Sequence, residues 1–173
     1  MSTGHELQEK IADLKKISLF KDIAEDAAAM ENVAGLFNTV SFAKGTDVLE
    51  EGVFGDSIFI IKSGTVLIIK KTMQGDPYVV TELNADMNIF FGEVALLDPE
   101  KRSATVRCKT DCEFYTTDKE QFTRFGDENP GIGLLITREV SRILCQRLRK
   151  SNADIVTLFD ALVGEVEKSG GIQ

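Results

Sequence analysis

The chain has 173 residues with 20 Lys and Arg against 28 Asp and Glu, a formal charge of −8, and 43% of its residues are apolar. This length suits one domain with an appendage and a sizeable core, no apolar run approaches the roughly 18 residues of a membrane span, and the acidic balance argues against nucleic acid as a partner. The single histidine, His5, excludes nearly all His-ligated metal chemistry and Ser-His or Cys-His catalysis.

The amino terminus, MSTGHELQEK, lacks a basic-then-apolar secretory pattern and runs straight into a charged amphipathic stretch, which predicts a cytoplasmic protein. Residues 6–16 place Leu7, Ile11 and Leu14 at helical spacing. Residues 18–35 read as one or two short helices, with Asp22 as the expected cap and a strongly helical Ala27-Ala28-Ala29-Met30 run. From Phe37 the period changes. FNTVSFA, TDVLEE, SIFIIKS, TVLIIKK, YVVTEL, ATVRCK and CEFYTT recur between Gly- and Asp-bearing turns. Seven or eight short strands at this spacing predict an antiparallel sandwich, roll or barrel with Phe59, Ile61, Val66 and Ile68 in its core.

Cys108, Cys112 and Cys145 form an odd, sparse set and not a disulfide framework. Cys108 and Cys112, four apart in an alternating stretch, are expected on one strand face as buried structural thiols. Residues 118–125 read as a short helix stopped by Gly126 and Pro130. A long periodic segment follows over residues 132–166, about 50 Å if continuous. Leu144, Leu148, Ile155, Leu158 and Leu162 form a heptad seam with Ser151 as its one polar position. That seam implies a partner helix, most simply from a homodimer; the alternative is a break near Ser151-Asn152 and a fold back onto the roll. The tail, residues 168–173, is expected to be disordered.

Residues 88–101 interrupt the strand pattern with a glycine-started turn of helix and then Asp98-Pro99. Gly92 lets the backbone approach a ligand, and the Glu-Val-Ala-Leu turn after it presents amide groups that attract an anion. Arg102 adds a guanidinium fork and Ser103 a hydroxyl, enough to surround one phosphate. Glu93 beside an anion site makes sense if the ligand also carries a hydroxyl donor, as a sugar does. The competing reading from the residues alone is an ordinary Glu93–Arg102 ion pair tying down a loop. Glu93 with Asp98 is a carboxylate pair, but no nucleophile or metal partner accompanies it.

These residues resemble a known family. Leu19-Phe20, Phe42-x-x-Gly45, Glu51-Gly52-x-x-Gly55-Asp56-Ser57, the stretch 60–64 and above all FGEVALLDPEKRSATV over residues 91–106 are similar to cyclic nucleotide-binding domains, such as those of the bacterial catabolite activator protein and protein kinase A regulatory subunits. The resemblance covers nearly the whole chain. It implies an α+β fold, an antiparallel β-roll (jelly roll) with N-terminal helices and a long C-terminal helix. The implied organisation is one domain over 1–173: helices over 1–35, the roll over 36–117 with the phosphate cassette at 91–106, and C-terminal helices over 118–167. In the family an Arg and backbone amides hold the cyclic phosphate and a Glu accepts from the ribose 2′-hydroxyl. Carried over, Arg102 and Glu93 take those roles, Gly92, Val94, Ala95 and Ala104 lend backbone, and Ser103 its hydroxyl.

Two departures matter. The activator continues into a DNA-binding domain, whereas this sequence ends soon after the long helix, so the expectation is a sensor without one. The activator's adenine-contacting Thr-Ser pair falls, counted without gaps from Pro130, on Arg147 and Leu148. The resemblance then implies Arg147 and Arg149 over the base, as an Arg on the equivalent helix lies in some channel relatives, with Ser151 or Asn152 supplying polar contacts; the alternative is that they belong to a solvated basic helix face. The resulting expectation is a non-enzymatic, metal-free sensor that binds cAMP, or else cGMP, and signals through its C-terminal helix to an unknown protein effector. The rival is a degenerate, ligand-free domain serving as a dimerisation or protein-interaction module.

Overall fold

The computed structural model describes residues 2–97 and 101–170. Its order is α1 (Ser2–Leu14), a 3-10 turn (Ser18–Phe20), α2 (Ala27–Leu36), β1 (Asn38–Phe42), β2 (Asp47–Leu49), β3 (Ser57–Ser63), β4 (Thr65–Lys71) and β5 (Pro77–Asn84). A second 3-10 turn (Ala85–Met87), β6 (Phe90–Phe91), α3 (Val94–Leu97), β7 (Thr105–Cys108), β8 (Cys112–Asp118), α4 (Lys119–Glu128) and α5 (Pro130–Gly170) complete it.

The strands make two four-stranded antiparallel sheets, β1-β8-β3-β6 and β2-β7-β4-β5. Period-two alternation turns one face of each sheet inward. Phe59, Phe91 and Phe114 from the first sheet and Val66, Val106 and Cys108 from the second bury there as one cluster, with Ile61 beside them and Ile68 partly buried at its margin. Phe114 meets both Phe59 and Phe91 edge to face, at 5.9 and 5.8 Å between ring centroids, the arrangement favoured by ring quadrupoles. The mixed helix and antiparallel-roll class expected from the sequence is the observed one.

The N-terminal helices close one side of this unit. Leu14, Met30 and Val33 are fully buried. Lys10 donates to the Phe37 carbonyl at 2.8 Å, and the buried Tyr115 hydroxyl donates to Asp13 at 3.0 Å. Asp22 is not the cap of α2. Residues 18–25 close as a 3-10 turn and bends that bury Leu19, Phe20 and Ile23, so the helix starts later and Asp26 caps it, accepting from the Ala29 amide at 3.0 Å.

Cys108 and Cys112 do not share a strand face. The turn through Lys109-Thr110-Asp111 separates them, so Cys108 ends β7 in one sheet and Cys112 opens β8 in the other. Both remain buried in the common core. Strand β6 is absent from the sequence pattern because two residues are too few to show a period. Helix α4 runs through Gly126, with Asp118 as its cap accepting from the Gln121 amide at 2.8 Å.

The chain forms two compact units, Met1–Ile136 and Thr137–Gln173, so the boundary falls inside α5. That helix is continuous. It does not break at Ser151-Asn152, and it continues past Lys168 to Gly170 where a disordered tail was expected; residues 171–173, like Asp98-Pro99, lie outside the described residues. Among the described residues no helix is long and apolar enough to cross a membrane.

Burial is what sets the cysteine chemistry. Desolvation pushes the Cys108 thiol up to about 12, with Cys112 beside it acting in the same direction, so its thiolate is nearly absent at neutral pH. Cys145 is exposed. A thiol reagent should therefore label Cys145 alone in the native protein, with Cys108 and Cys112 reacting only after denaturation. Mass spectrometry of labelled peptides checks this, and modification of Cys108 in the folded state would contradict it.

Candidate functional site

The first arm of the site is delivered by β6. Phe91 pairs with Phe59 of β3 and stacks on it at 5.6 Å, which fixes the chain immediately before Gly92. Gly92 has φ +83°, and a Cβ there would lie 2.7 Å from the Ser57 carbonyl oxygen. Only glycine makes this turn without strain. The chain then enters α3, where the Ala95 and Leu96 amides donate to the Gly92 and Glu93 carbonyls, both at 3.1 Å. Ala95 and Leu96 bury, Val94 faces outward, and Glu93 is 2% exposed. A carboxyl so buried calls for polar partners.

The second arm is the segment leading into β7. The Arg102 amide donates to the Val53 carbonyl at 2.8 Å, and the Gly52 amide donates to the Arg102 carbonyl at 2.9 Å. Phe54 and Lys101 continue this as an antiparallel bridge. Thr105 finishes the tie through its hydroxyl, which accepts from the Glu51 amide at 3.0 Å. The arm is thereby stitched to the loop at residues 51–55.

The Arg102 side chain joins the two arms. Its Nη2 donates to the Ser57 carbonyl at 2.7 Å, and its Nη1 donates to the Gly92 carbonyl at the longer distance of 3.4 Å. Its Nε is buried and has no hydrogen-bond partner among the described residues. A guanidinium carries five N–H donors, so two bonds to carbonyls leave three for other acceptors. Burial pulls its pKa down, while the negative charges of Asp56 and Glu93 pull it back up. Gly55 makes room for the group, since a Cβ there would lie 2.5 Å from Nε.

Gly92, Glu93, Val94, Ala95, Arg102, Ser103 and Ala104 all lie in the first unit, on two arms that the guanidinium connects. Ser103 is exposed and Ala104 half-buried. Arg147 is exposed and belongs to the second unit. Asp98, the other half of the carboxylate pair read from the sequence, lies outside the described residues. Three positions around Arg102 had no site role in that reading: Gly55, the Asp56 carboxylate and the Ser57 carbonyl. Gly-Asp-Ser reads as an ordinary turn, and a backbone acceptor leaves no signature in residue identity. The arrangement suits a ligand that is an anion at one end and a hydroxyl donor at the other. Among the described residues no group of three or more His, Cys, Asp or Glu side chains is placed to hold a metal ion.

A family model described as cyclic nucleotide-binding domain matches residues 39–129. A cGMP-dependent protein kinase of Eimeria tenella is 35% identical over 114 residues, 65% of this chain and 10% of that protein. A CRP-like cAMP-activated global transcriptional regulator of Mycobacterium tuberculosis is 27% identical over 157 residues, 90% of this chain and 66% of that protein. The chain thus spans less than two thirds of either relative's length. Among solved structures, a cyclic nucleotide-binding domain from Methylobacillus flagellatus matches in fold with a TM-score of 0.73 at 20% identity, covering 88% of this chain and 84% of that one.

The fit between Gly55 and the guanidinium has a direct test. In Gly55→Ala the new methyl forces Arg102 off the Ser57 carbonyl, while the flexible side chain absorbs the displacement at a cost of about 1–2 kcal/mol. The expected result is a folded protein whose Arg102 Nε–H resonance moves in a nitrogen–proton correlation spectrum. An unchanged resonance would show that the two groups are not in contact.

Proposed function

The chain belongs to the cyclic nucleotide-binding domain family, and from that premise we propose that it is a non-catalytic cytoplasmic sensor that binds cAMP in preference to cGMP. The observation that carries this reading is the Arg102 guanidinium, half-buried and bonded to the Ser57 carbonyl of β3 and the Gly92 carbonyl of the first arm, with donors remaining for an anion. In this proposal Arg102 takes the cyclic phosphate together with backbone amides of residues 92–95 and the Ser103 hydroxyl. Glu93 accepts the ribose 2′-hydroxyl, Ala104 lends backbone, and Arg147 lies over the base. Supporting the choice of cAMP, the Mycobacterium relative is named as cAMP-activated and aligns with 90% of this chain, whereas the Eimeria kinase, named for cGMP, aligns with 65%.

The output is a change in α5. A ligand favours whichever conformation it binds more tightly, in proportion to its differential affinity, and we assign the response to the long helix because it runs from the roll's unit into the second one. Leu148, Ile155, Leu158 and Leu162 are between 60% and 70% exposed, an apolar stripe that suits association. The proposed readout is a homodimer through α5 that engages a protein effector.

A thermal-shift comparison tests the ligand. A nucleotide at 100 times its dissociation constant stabilises the native state by about 2.7 kcal/mol, so cAMP should raise the midpoint more than cGMP at equal concentration. Charge-assisted hydrogen bonds contribute about 1.5–3 kcal/mol each. Arg102→Ala should therefore weaken binding at least about 100-fold by calorimetric titration while leaving the far-ultraviolet circular dichroism unchanged. Undiminished affinity in that variant would remove Arg102 from the site, and no shift with either nucleotide would favour the ligand-free module.

A further inference from the structure

Away from the Arg102 site, the first unit holds a cavity of about 330 Å³ between the end of α1 and the roll. Small-molecule sites run from roughly 300 to 1,000 Å³. None of its lining residues belongs to the Arg102 site. Ile17, Ile60, Ile61 and Tyr115 line it although each is at most 5% exposed. The Tyr115 hydroxyl is committed to Asp13, which also takes Lys16 at 2.9 Å.

Two irregularities meet at this cavity. The first is a bulge in β3: Ile61 pairs with Phe114 of β8 and Ser63 with Glu113, so Lys62 between them is the extra residue. A bulge re-aims a side chain, and this one leaves the Lys62 side chain 19% exposed at the cavity wall. Its ammonium has three donors and no close acceptor among the described residues. Glu113 and Glu9 stand off at 3.5 and 3.9 Å, and the Tyr115 ring centroid lies at 5.9 Å. The second is Asn88, which lines another part of the cavity and has φ +49°, a positive value that no other non-glycine residue shows among the described residues. Beside it Asp86 also lines the cavity, exposed, and its carboxylate holds neither a hydrogen bond nor an ion pair among the described residues.

These groups select the ligand by elimination. A purely apolar molecule leaves the Lys62 ammonium without an acceptor. A phosphate dianion meets the carboxylates of Glu9, Asp13, Asp86 and Glu113, which outnumber the ammonium groups of Lys10, Lys16 and Lys62, and is repelled. A zwitterion with a compact apolar body satisfies both unpaired charges and covers the isoleucines.

We propose that this cavity binds a free amino acid with an apolar side chain, its carboxylate on Lys62, its ammonium on Asp86 and its hydrocarbon against Ile17, Ile60 and Ile61. Such a ligand touches α1, β3 and the second 3-10 turn at once, so its occupancy ties the N-terminal helix to the roll. The site is independent of the nucleotide reading.

Titration of the isotope-labelled full chain with leucine, isoleucine, methionine and phenylalanine, followed by nitrogen–proton correlation spectra, tests the proposal. At least one should move the amides of residues 60–62 and 85–88 in a saturable way, with a dissociation constant below about 1 mM. The deaminated and decarboxylated analogues of that amino acid should each bind at least about tenfold more weakly, because each lacks one charge-assisted hydrogen bond. Asp86→Asn, at an exposed position that does not endanger the fold, should weaken the amino acid about tenfold and leave its deaminated analogue unaffected. Lys62→Met should weaken the amino acid and leave the decarboxylated amine unaffected. No movement of those amides with any of the four amino acids up to about 10 mM, equal affinity for the deaminated analogue, or wild-type affinity in Asp86→Asn overturns the proposal.

Discussion

Everything in the site follows from placing one guanidinium where two loops meet. Arg102 is a permanent cation, and a cation half-withdrawn from water must be compensated by acceptors or opposite charge. The Ser57 and Gly92 carbonyls supply acceptors at 2.7 and 3.4 Å, and Asp56 and Glu93 supply opposing charge. Two glycines are the steric consequence. Gly55 leaves the volume the guanidinium occupies, and Gly92 lets the chain pass close enough to Ser57 for its own carbonyl to be reached. A side chain at either position would separate the arms, so the spacing of these residues is one requirement expressed at several places.

The roll exists, from the standpoint of that requirement, to hold Ser57 and Gly92 at a fixed separation. Ser57 opens β3, and β3 is hydrogen-bonded to β8 on one side and to β6 on the other. Gly92 directly follows β6, whose two residues are too few to hold themselves in place. The stacked pair of Phe59 and Phe91, with Phe114 edge-on to both, supplies the missing rigidity. Rings at these distances contribute about 0.5–1.5 kcal/mol per pair beyond the area they bury. The two acceptors of Arg102 thus draw their placement from aromatic packing in the core.

Much of this is legible in the sequence, and the residues that are not share a cause. The seven long strand segments show their period of two, and Gly92, Glu93 and Arg102 announce themselves by residue type. Strand β6 is invisible because two residues carry no period. Asp22 looked like a cap because it precedes an alanine-rich helix, but the burial of Leu19, Phe20 and Ile23 bends the chain first and hands the role to Asp26. Cys108 and Cys112 looked like one strand face because alternation continues across them, yet a three-residue turn sends them to different sheets. The Ser57 carbonyl is hidden for a deeper reason. Every residue has a carbonyl, so the acceptor that orients Arg102 is a property of the fold and not of any side chain.

A chain with a net charge of −8 that half-buries a guanidinium has to separate its charges by place. At the site the separation is local: a cation between two loops is screened little by bulk solvent because it is half-buried, so its field acts at short range whatever the total charge. Along α5 the separation is longitudinal and exposed, with Arg147, Arg149 and Lys150 followed by Asp154, Asp160 and Glu165. Exposed charges each contribute little, and no single pair there would decide a structure.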